Sequence, residues 1–71
     1  MNTAQPQFSA SIEASLADLH AIWNDPVRLL SLRVCCEDAF DKHGEAFVDA
    51  DLQRMVKGAK QLARWNARRA A

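Results

Sequence analysis

The chain has 71 residues, 49% of them hydrophobic and 25% charged, and nine basic against nine acidic side chains give a formal net charge of zero. A chain this short forms one small domain, hides only roughly 60% of its unfolded surface, and has little room for a deep cleft with a pre-organised catalytic shell. Thirteen alanines and seven leucines, against two glycines, two prolines and no tyrosine, exclude a β-rich fold with many tight turns.

Apolar residues are too frequent for a disordered chain and too interrupted for a membrane span of about 20 residues. Residues 1–7 have neither the basic nor the apolar region of a secretory signal. Adjacent cysteines on a helix point about 100° apart, so Cys35 and Cys36 are badly placed to bond to each other. A secreted chain of this size would carry several disulfides, and the expectation is a cytoplasmic protein without membrane insertion.

Residues 1–10, polar and broken by Pro6, read as a flexible tail ahead of a single helical domain over 11–71. Ser9 or Ser11 can cap a first helix over about 11–24, with the Glu13 carboxylate near its positive end. Its apolar stripe is Ile12, Leu16, Leu19 and Trp23, at steps of four, three and four.

Asn24-Asp25-Pro26 starts a second helix over about 26–43. Asp25 stands at the N-cap, Pro26 at the first position, where no donor is missed, and Gly44 at the left-handed stop. The first stripe continues in register through Val27, Leu30 and Val34, so one helix kinked at Pro26 would give the same pattern. A second seam runs along Leu29, Leu32, Cys36, Ala39 and His43, with Phe40 beside it. A helix apolar on two faces needs cover on both. The surplus seam, Leu29, Leu32, Cys36 and Phe40, is therefore expected to pair with a second copy in a homodimer.

The last helix is expected over about 49–68, capped by Asp49 or Asp51. Its apolar face is Val48, Leu52, Met55, Val56, Ala59, Leu62 and Ala63, and its opposite face carries Arg54, Lys57, Lys60, Arg64 and Arg68. The fold class is all-α: a small antiparallel helical hairpin or three-helix bundle, with core positions that include Leu16, Leu30 and Leu62.

Net neutrality conceals a division. Residues 1–51 hold all nine acids and three bases, a balance of −6, and residues 52–71 hold six bases and no acid, a balance of +6. Such a basic helix suits an acidic protein, a nucleic acid or an anionic membrane surface. It can also be neutralised internally by Glu37, Asp38 and Asp41 on the second helix. Trp65 falls off the apolar stripe, near Arg54, Gly58, Arg69 and Phe47 on a helical wheel, and a tryptophan among arginines is a frequent interface anchor.

No motif specifies catalysis. Cys36 and His43 share a helical face, with Cys35 adjacent, but no CxxC and no second histidine completes four zinc ligands. His20 edges the first stripe without a nucleophile beside it, and there is no nucleophile elbow and no glycine-rich phosphate loop. Neither a metal nor a cofactor is expected.

The leading expectation is a non-enzymatic helical module that binds another protein through Arg54, Lys57, Arg64, Trp65 and Arg68. Inhibitors, antiactivators and adaptors, including phage and plasmid accessory proteins, are built on this scale. The alternative is a nucleic-acid binder that uses the basic last helix, although a helix-turn-helix needs a short recognition helix after a tight turn. A membrane-surface role ranks third, because the apolar face of that helix lacks bulky aromatics.

Overall fold

The computed structural model describes residues 8–70. It is an all-α bundle of three helices: α1 over Ala10–Trp23, α2 over Pro26–His43 and α3 over Glu45–Ala70. Residues 1–7 of the expected tail lie outside the described residues. Phe8, Ser9 and Ala10, expected to end that tail, belong to the fold. Ser9 caps α1 by accepting a hydrogen bond from the Ile12 amide, and Phe8 packs on the core with its ring 5.8 Å from that of Phe40.

The turn at Asn24-Asp25 decides between two helices and one kinked helix. Asn24 adopts a left-handed conformation at φ 51°, which a short polar side chain tolerates, and its amide closes α1 on the His20 carbonyl. Asp25 then accepts from the Arg28 amide and caps α2, with Pro26 directly after it. The chain reverses, so Glu13 pairs with Arg33 at 2.8 Å and Phe8 meets Phe40.

The reversal also resets the helical phase. Val27, Leu30 and Val34, which continue the α1 stripe in sequence, point outwards and are 73%, 63% and 58% exposed. The seam expected to face a second copy packs inwards instead. Cys36 is buried, and Leu29, Leu32, Ala39 and Phe40 pack against the core made by Ile12, Leu16, Leu19, Val48 and Leu52. The apolar surplus of α2 is real, and it lies on the opposite face.

α3 begins at Glu45 and not near residue 49. Gly44 alone separates it from α2, at φ 88°, a conformation that disfavours a side chain. Its amide donates to the Phe40 carbonyl, and its own carbonyl accepts from the Val48 amide. Asp49 and Asp51 are consequently inside the helix. Asp49 accepts from Ser11 at 2.7 Å and Gln53 at 3.2 Å, and Asp51 pairs with Arg54 at 3.1 Å.

Ser11 meets Asp49 and Asp18 approaches Lys60, so α1 and α3 run in the same direction, with α2 opposed to both. The lengths do not match. α3 has 26 residues against 18 in α2, an excess of about 12 Å at 1.5 Å per residue. Its core contacts end at Ala59, and residues 60–69 are exposed throughout. Leu62 falls on the predicted stripe but is 57% exposed, because α1 and α2 do not reach it.

Candidate functional site: the projecting end of α3

The end of α3 presents two chemically distinct sides. At about 100° per residue, Lys57, Lys60, Arg64 and Arg68 form one cationic line. Leu62, Trp65 and Arg69 form a second line at i, i+3 and i+7, apolar with a cation at its tip. Trp65 is 53% exposed and the Arg69 guanidinium stacks over its ring, 4.8 Å from the centroid. That stacking holds a flat apolar surface and a positive charge together in one place.

The expected neutralisation of these bases by Glu37, Asp38 and Asp41 of α2 is not seen among the described residues. Lys60 approaches Asp18 of α1 at 3.9 Å, and Arg54 pairs with its own neighbour Asp51. The described ion pairs include none between α3 and the acids of α2, where Asp38 is taken by Lys42 at 3.2 Å. These are exposed pairs, each worth about 0–1 kcal/mol.

Of the partner-binding residues expected from sequence, Arg64, Trp65 and Arg68 lie on the projecting end and Lys57 leads up to it. Arg54 stands a turn further back, engaged with Asp51. Below the projection, an open groove of about 460 Å³ separates α1 from α3. Lys57, Lys60 and Arg64 line one wall, and Ser11, Ala14 and Asp18 line the other. The α1 wall was not legible in sequence, because it depends on α1 and α3 being neighbours.

Comparison with protein-family models, curated proteins and solved structures finds no match. The site therefore has to be read from its own chemistry.

Among the described residues no three His, Cys, Asp or Glu side chains come together in a group able to hold a metal ion, and no helix is long and apolar enough to cross a membrane. His43 lies against Phe47, ring centroids 4.6 Å apart. Cys36 is buried, and desolvation raises its pKa above the ordinary thiol value, with the neighbouring Cys35 and Asp51 adding in the same direction.

Two consequences follow for Cys36. A raised folded-state pKa means that its contribution to stability is complete at neutral pH and is lost as alkaline pH passes the folded-state value, since the unfolded thiol ionises first. Alkylation at neutral pH should modify the exposed Cys35 quickly and Cys36 only on unfolding. Mass spectrometry of a timed iodoacetamide reaction reads this directly: one fast adduct is expected, and two at equal rates would place Cys36 at the surface.

Proposed function

We propose that this chain is a non-enzymatic protein–protein interaction module. It acts in the cytoplasm as a homodimer and serves as an inhibitor, antiactivator or adaptor of the type found among phage and plasmid accessory proteins. The observation that carries the reading is the end of α3, which extends beyond its own bundle with cations on one side and Leu62 and Trp65 on the other. An exposed tryptophan braced by an arginine is a typical interface anchor. The flanking Lys57, Arg64 and Arg68 select a partner with an acidic surface and speed its approach.

The second reading, nucleic acid, draws on the line of Lys57, Lys60, Arg64 and Arg68, which could follow a row of phosphates. The acid-rich remainder of the chain opposes it, since exposed Asp38 and Asp41 on α2 belong to a −6 body that would repel a duplex. A gel shift with random duplex DNA at low salt separates the two. The protein-binding reading expects no discrete complex. A tight complex whose log affinity falls with log salt, with a slope reduced by about one on loss of each of Lys57, Arg64 and Arg68, would establish the second reading in its place.

A further inference from the structure

Two helical stripes in this molecule share one spacing. Val27, Leu30 and Val34 on the outer face of α2 stand at i, i+3 and i+7, as do Leu62, Trp65 and Arg69 on the end of α3. All five apolar members are more than half exposed, from 73% at Val27 to 53% at Trp65. Beyond its apolar part the α2 stripe continues into exposed Asp38 and Asp41, whereas the α3 stripe ends in Arg69. Read N to C, one is apolar then acidic, and the other is apolar then basic.

From these features we infer that the two stripes cover each other between two copies of the chain, in a reciprocal dimer. The topology permits it without rearrangement. α3 projects past the N-terminus of α2, and α2 runs opposite to α3. A twofold axis perpendicular to the helices at that level turns a second copy end for end. The second copy's α2 then continues beyond the first copy's α2, parallel to the projecting end of α3. Parallel alignment is the one that matches apolar with apolar and acid with base.

The stripe lies on the flank of α3 turned away from α1. Ser11 and Asp18 of α1 meet α3 at Asp49 and Lys60, and Leu62, Trp65 and Arg69 stand about 140–180° around the helix from Lys60 at 100° per residue. In register, Leu62 meets the second copy's Val27 and Trp65 meets its Leu30. Arg69 lies over its Val34 and reaches towards its Asp38, one turn further on.

The twofold makes each contact occur twice, so the assembly closes at two copies. It also gives the −6 and +6 segments of a neutral chain a common purpose. Pairing of two α2 outer faces alone would leave the α3 ends uncovered, and pairing of two α3 ends would set arginine against arginine.

The inference deepens the proposed function by naming what covers the end of α3 in the free homodimer, which an acidic partner must displace to reach Trp65. It rests on that end being a binding element, but its test uses the purified chain alone. Light scattering at high micromolar concentration should give twice the 7.9 kDa of one chain. Leu30→Glu should give a monomer with unchanged helical circular dichroism.

Arg69→Glu and Asp38→Lys should each weaken the dimer by roughly tenfold or more, as loss of a close interfacial charge pair does. Their equimolar mixture should recover it, because the reversed charges meet in the mixed dimer. A monomeric wild-type chain, a dimer indifferent to Arg69→Glu, or a mixture that stays dissociated would each overturn the arrangement. None of those outcomes bears on whether the end of α3 binds an acidic partner, which is read separately.

Discussion

Leu16→Ala should destabilise the bundle by about 2–5 kcal/mol, enough to unfold much of the population at room temperature. Leu16 is fully buried, among Ile12, Leu19, Val48 and Leu52, and truncation leaves a cavity that this small core cannot refill. Domains carry only about 0.05–0.15 kcal/mol of stability per residue, so a loss of that size takes much of the total. Leu30→Ala and Leu62→Ala, at positions more than half exposed, should each change monomer stability by less than about 1 kcal/mol. Urea denaturation followed by circular dichroism at low protein concentration checks all three. Equal losses at Leu16 and Leu30 would mean that the outer face of α2 is buried within the chain.

That comparison also marks where the sequence was informative. Helix type, a serine cap at Ser9 or Ser11, the Asp25-Pro26 start and the Gly44 stop follow from local chemistry that no tertiary contact needs to supply. The face of α2 does not. Both of its stripes are apolar, and the break in helical phase at left-handed Asn24 and extended Asp25 turns the second one inwards, so periodicity carried across the turn assigned Val27, Leu30 and Val34 to the wrong side.

The exposure of Leu62 was hidden for a related reason. Its place on the α3 stripe is regular, and what removes its cover is the shorter length of α1 and α2. The early start of α3 at Glu45 was missed because Asp49 and Asp51 resemble caps, whereas one glycine suffices to join the two helices. For the site, the cations and Trp65 could be read directly. The matching i, i+3, i+7 spacing of 27, 30, 34 and 62, 65, 69 was also present in the sequence, but it gains meaning only once α2 and α3 are known to be antiparallel.

Trp65→Ala should weaken binding to the acidic partner by about 2 kcal/mol or more, roughly thirtyfold in Kd. The indole contributes the largest apolar surface on the projecting end, and Arg69 loses the ring over which it stacks. Charge reversal at Arg64 or Arg68 should act differently, lowering the association rate and the salt dependence while leaving dissociation much less affected. Leu30→Glu removes the second copy that covers Trp65 in the dimer, so this variant should bind the partner at least as tightly as the wild type. A Trp65→Ala chain that binds like wild type would remove the tryptophan from the interface.

The most direct test of the claim that the end of α3 captures a protein is a comparison of immobilised wild type, Trp65→Ala and Arg68→Glu chains in nuclease-treated host lysate. The wild-type chain should retain a discrete acidic protein that survives nuclease treatment. Retention should fall sharply for Trp65→Ala, whereas for Arg68→Glu it should build up more slowly and depend less on salt than for the wild type. Retention that nuclease abolishes, or that neither substitution alters, would contradict the account.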